Sequence, residues 1–155
     1  MADENSRTLE QVYRSAVTGL YARLRSNYDY IYRKFGDEGL KLISDMSREY
    51  GLAVAQRARS KLPNNSLPSI ADYILRIFET VAYDKHYQDS IQMGDERAVI
   101  RVDECPLRFE RPEMCRAHTT MEKTVVEELN PVLTYMIGKS IPAGDNYCEH
   151  IIELK

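Results

Sequence analysis

Three cysteines and two histidines hold most of the chemistry this sequence can offer. Cys105 closes a strand-like run and is followed by Pro106. Cys115 and His118 are three apart in a segment with helical periodicity, which puts them on one face with Cβ atoms about 5–6 Å apart. Cys148 and His150 are two apart in an alternating segment, and so share one face of a strand. Two chemistries suit such a set. A thiol beside an imidazole can ionise and attack an electrophilic carbon, with His118 as base and then acid and Glu122, one turn on, orienting it. The second is metal binding: thiolate and imidazole are zinc ligands, and Cys105, Cys115, Cys148 and His118 would supply four. A third reading needs no chemistry, with the cysteines as small buried hydrophobes and His118 as a hydrogen-bonded helix residue.

Arg108 and Arg111 flank the stretch between Cys105 and Cys115, where they can hold a substrate carboxylate in a bidentate fork. Eleven tyrosines against three phenylalanines and no tryptophan concentrate in the first half. Some of them, Tyr73 included, can line a pocket with apolar walls and polar tips, although the edge of a core is the commoner place for a phenol. Gly144-Asp145 is a turn and not a phosphate loop, since it lacks the glycine spacing and the lysine. The pairs Asp103-Glu104 and Glu127-Glu128 read as solvated surface.

The elements that must position these groups follow from periodicity. Apolar steps of three and four from Leu9 to Phe35 predict a long helix, capped by Thr8 and stopped by Gly36, with a possible break near Ser26-Asn27. A second helix starts at Asp37, with Gly51 as a close-packing point. A third is predicted to be capped by Ser69. The period then falls to two, and Ser90–Met93 and Ala98–Val102 flank a Gly94-Asp95-Glu96-Arg97 turn, which predicts a hairpin. Pro112 opens a fourth helix, whose inward face carries Cys115, His118, Met121, Glu122, Val125 and Leu129 up to Asn130-Pro131. After an ambiguous apolar run, 132–141, a last strand carries Cys148, His150, Ile152 and Leu154 on one side. Paired strands with short turns make an antiparallel sheet, and the class is α+β: N-terminal helices on a sheet of two hairpins with an intervening helix. Residues 1–7 read as a disordered polar lead, and residues 8–155 as a single domain.

Composition narrows the setting. A chain of 155 residues, 43% hydrophobic and 29% charged, is large enough to bury a core without staples. A net charge of −3 argues against nucleic acid as partner. No apolar run approaches the roughly 20 residues that span a bilayer, so no membrane partner is expected. The acidic start and the odd number of cysteines point to the cytoplasm, where thiols stay reduced. The expected partner is a small-molecule substrate or ligand, with a homodimer possible through the long first helix.

Several stretches together resemble a known family. Phe35-Gly36-Asp37-Glu38-Gly39-Leu40, Cys105-Pro106, Cys115 on the next helix, and Gly144-Asp145-Asn146-Tyr147-Cys148-Glu149 are similar to the family named after L-2-amino-thiazoline-4-carboxylic acid hydrolase, over roughly residues 8–154. More distantly they resemble the vinyl-reductase-type ligand-binding domains of phenol-sensing regulators, which share their fold with trafficking-complex subunits and haem nitric-oxide-binding domains. The first resemblance implies a hydrolase that opens a cyclic C=N bond with water, giving an N-carbamoyl cysteine. The second implies a sensor-type binding domain with zinc on three cysteines and a glutamate. Cys115 and Cys148 match two of those cysteines. The remaining Glu and Cys positions fall at Ile137 and Ser140, so Cys105 or His118 would have to complete the set. The primary expectation is therefore a small hydrolase of a cyclic C=N or amide-type bond. The alternative is a sensor-type binding domain with structural cysteines, and the third reading is a scaffold subunit of the trafficking type.

Overall fold

The computed structural model describes residues 7–82 and 91–155. The expected lead lies outside them apart from Arg7, as do Ser90, Tyr83 and Tyr87. The described elements run α1 (Leu9–Phe35), α2 (Asp37–Arg59), α3 (Leu67–Ala82), β1 (Ile91–Met93), β2 (Arg97–Val102), α4 (Pro112–His118), α5 (Thr120–Leu129), β3 (Leu133–Ile137), a 3₁₀ turn (Ile141–Ala143) and β4 (Cys148–Leu154). The fold is α+β, with helices packed on a four-stranded antiparallel sheet.

Local chemistry accounts for most of the boundaries. The Thr8 hydroxyl accepts from the Gln11 amide while the Gln11 side chain accepts from the Thr8 amide, a complete capping box. Gly36 takes φ 58° and donates to the Tyr32 carbonyl, ending α1 where a side chain would be strained. No break interrupts α1 at Ser26-Asn27. Helix α3 begins two residues before the expected cap, at Leu67, with Pro68 in the first turn where no amide donor is needed. The fourth expected helix is two. At Thr119 the backbone leaves helical geometry (φ −75°, ψ 2°) and α5 restarts at Thr120.

The hairpins β1–β2 and β3–β4 join through β2 and β4, giving the order β1-β2-β4-β3. Ala98 lies opposite Ile152, Ile100 opposite His150 and Val102 opposite Cys148, so the alternation seen in the sequence becomes one buried face. That face packs on α2, α3 and α5 through Val54, Ile70, Ile74, Val125 and Val126. A second, smaller cluster lies under α1 and α4: Tyr28, Ile43, Phe109, Met114, Cys115 and Ala117. Gly51 is the closest-packing point between α2 and α5. A Cβ there would stand 2.8 Å from the Met121 carbonyl oxygen and 2.8 Å from Thr124 Cβ.

Candidate functional site

The three cysteines converge from three elements. Cys115 comes from α4, Cys148 from the start of β4, and Cys105 from the turn that leaves β2, where the Arg108 amide donates to its carbonyl. They lie near enough that negative charge on Cys105 or Cys148 raises Cys115. Cys115 and Cys148 are buried and Cys105 is partly exposed. Burial is the main force on both buried thiols: it pushes Cys115 up to about 12 and raises Cys148. The Cys148 sulfur also accepts from the Ile141 amide at 3.3 Å, which opposes that rise. At neutral pH both are thiols rather than thiolates.

The histidines take tyrosine partners, not sulfur. His118 Nδ1 lies 3.3 Å from the Tyr28 hydroxyl, and its ring packs edge-on to Phe109. His150 Nδ1 lies 2.5 Å from the Tyr135 hydroxyl, with Phe78 against the ring at 4.5 Å. Burial lowers both imidazoles to about 4, so both are neutral at pH 7. Glu122 is buried on α5, and its Oε2 has no hydrogen-bond partner. Burial raises its carboxyl to about 7. Its charge reaches Tyr21 and Tyr28 on α1, Cys115 on α4 and Tyr135 on β3, so it sits among the polar groups between helices and sheet.

The fit to zinc rests on these donors. Among the described residues no three His, Cys, Asp or Glu side chains stand together in a way that could hold a metal ion. Ser140 keeps a buried hydroxyl without a partner.

The arginines are brought together. Arg25, Arg108 and Arg111 line one small cleft of about 70 Å³ with Asp29, Glu110, Phe109 and Met114. Each is aimed differently. Arg25 donates to the Leu107 carbonyl at 2.8 Å. The Arg111 guanidinium rests over the Tyr32 ring at 4.9 Å. Arg108 has φ 50°, a left-handed backbone that is strained for a residue with a side chain. The floor of the cleft is Phe109, whose ring stacks on Tyr28 and meets His118. Tyr73 is elsewhere, in a groove of about 550 Å³ between α3 and the α2–α3 loop.

The structure brings Cys115 near Cys148 and sets Arg108 and Arg111 on one cleft, together with Arg25 and Phe109, which the sequence reading did not single out, and it pairs Tyr135 with His150. Arg25 and Tyr28 are three apart on the first helical stripe, and that spacing was the available signal. No protein-family model matches the chain, and no curated protein matches it. No described helix is long and apolar enough to cross a membrane.

Proposed function

We propose that this protein is a small-molecule-binding module of the sensor type, taking a ligand that carries a carboxylate, with its cysteines in a structural role. The observation that carries this reading is the meeting of Arg25, Arg108 and Arg111 over Phe109. Three guanidiniums line it beside Asp29 and Glu110, and Arg108 also pairs with Glu104 at 3.8 Å. A cleft of about 70 Å³ has room for a carboxylate-sized group. The rigid fork of arginine suits that group, and Tyr32 already orients one of the three. The buried, protonated thiols weigh against a nucleophilic role, since the thiolate is the attacking species.

The hydrolase reading is second, and one observation favours it. Glu122 has a free oxygen and a carboxyl at about 7, the range of a general base at neutral pH. In that reading water adds across the ring C=N bond of a thiazoline carboxylate, with Glu122 taking a proton from the water and passing it to the ring nitrogen. The C–S bond then breaks as the new hydroxyl becomes the carbonyl, and the hydroxyl proton passes through Glu122 to the leaving sulfur.

Calorimetric titration with 2-aminothiazoline-4-carboxylate, with chromatographic analysis of the same mixture, separates the two. Binding without N-carbamoyl cysteine formation, weakened at least tenfold by Arg108→Ala with Arg111→Ala, supports the module. Turnover abolished by Glu122→Gln establishes the hydrolase. Neither binding nor turnover for this or other small carboxylates refutes the carboxylate site. Near-stoichiometric zinc in the purified protein would turn the cysteines into a metal centre.

A further inference from the structure

The free edge of the sheet faces a second cleft that the arginine site does not use. Strand β3 is the last in the sheet order. Its outward side borders a concavity of about 300 Å³, walled by Arg116 and Thr120 near the α4–α5 junction, Lys123 on α5, and Tyr135, Met136 and Ile137 on the strand.

Register identifies which main-chain groups look into it. The Val132 carbonyl accepts from the Lys155 amide and the Gly138 amide donates to the Glu149 carbonyl. An antiparallel ladder alternates, so residues 132, 134, 136 and 138 bond to β4 while 133, 135 and 137 direct their amides and carbonyls outward. The Leu133 amide is taken by the Asn130 carbonyl. Among the described residues the amides of Tyr135 and Ile137 have no such partner. Tyr135 is buried and Ile137 partly so, positions where an unpaired donor is costly unless something from solvent meets it.

Charge selects the occupant. Lys123 is exposed and makes no ion pair among the described residues. Arg116 is largely exposed, with Glu113 as its partner at 3.5 Å. Glu127, toward the other end of β3, is occupied by Thr134 at 2.7 Å and by Lys155. The opening is therefore cationic. A second copy pairing β3 to β3 would bring the Arg116 and Lys123 of both chains together, which repels.

We propose that β3 accepts one further strand, an extended acidic segment of a partner protein. Its main chain pairs with Tyr135 and Ile137 and its carboxylates meet Lys123 and Arg116, the strand-addition mode of peptide recognition. The probe is a fluorescein-labelled hexapeptide of alternating valine and glutamate, with its valine–lysine counterpart as control. Expected results are saturable anisotropy with the acidic peptide and slowed hydrogen exchange at the Tyr135 and Ile137 amides. Lys123→Glu with Arg116→Glu should weaken binding at least tenfold. Both positions are on the surface, so these variants stay folded. Ile137→Pro removes an outward amide and should also abolish binding in protein whose circular dichroism is unchanged. If the acidic peptide binds no better than the lysine peptide, or binds without protecting those two amides, the proposal is wrong. Protection of the same amides by self-association alone would also overturn it.

Discussion

At the residue scale, burial decides what Cys115, Cys148, His118 and Glu122 are. A sequence shows a thiol three residues from an imidazole; the fold turns that imidazole toward Tyr28 and seals the thiol. Thiol titration at pH 8 should find Cys105 reacting first, with Cys115 and Cys148 at least tenfold slower until the protein is unfolded. Three equally fast thiols would contradict the burial seen here. Glu122 allows a signed test. Its folded carboxyl stands at about 7, above its ordinary value, so the folded state keeps a proton that the unfolded chain loses. Stability from this group is present at low pH and falls as pH rises toward and through 7. Glu122→Gln removes that loss. Relative to wild type, the variant should gain up to about 3 kcal/mol between pH 5 and pH 8 in urea unfolding. Parallel curves at both pH values would mean the carboxyl is not held neutral.

At the element scale, two glycines inside helices predict opposite outcomes. Gly19 in α1 has open space where a Cβ would go, so Gly19→Ala should stabilise by up to about 1 kcal/mol through helix propensity. Gly51 in α2 has the Met121 carbonyl and Thr124 Cβ at 2.8 Å, so Gly51→Ala should destabilise by about 1–3 kcal/mol despite the same propensity gain. Thermal unfolding of both variants checks the pair. The break at Thr119 is an element-scale feature that periodicity conceals. Cys115, Glu122, Val125 and Leu129 all face inward as one continuous helix would place them. The Thr119 hydroxyl, donating back to the Cys115 carbonyl at 3.0 Å, sits at this break and leaves no pattern in hydropathy.

At the scale of the whole molecule, the two buried histidines oppose the carboxylate. Both imidazoles sit at about 4, below their ordinary value, so the unfolded chain takes up protons first as pH falls below about 6.5. Stability should drop from pH 6.5 toward 4, by two protons against the one from Glu122, and a maximum is expected near pH 6–7. Denaturation followed across pH 4–9 gives this profile; a flat curve below pH 6 would rule out buried, neutral histidines. Helix α1 makes a second prediction at this scale. Only Tyr28 of its residues is buried, while Leu9 and Leu20 are 85% and 67% exposed. Antiparallel pairing of two copies would set Tyr13 against Leu20 and Glu10 against Arg23. Sedimentation should show concentration-dependent dimers that Leu20→Glu abolishes; a monomer at all concentrations would exclude this pairing.

The helical spans, the alternation of the last strand and the Thr8 and Gly36 caps were legible in the chain itself, because each depends on neighbours three or four residues away, or on alternation along a strand. Thr8, Gly36, Pro112 and the Cys148–Ile152 alternation each act locally, and the α+β class follows from their order. Which polar groups meet was settled only in three dimensions. Tyr28 with His118, Tyr135 with His150, and Arg25 with Arg108 are 90, 15 and 83 positions apart, and no periodic signal links them. Protonation went the same way, since it depends on how completely packing removes water from each group.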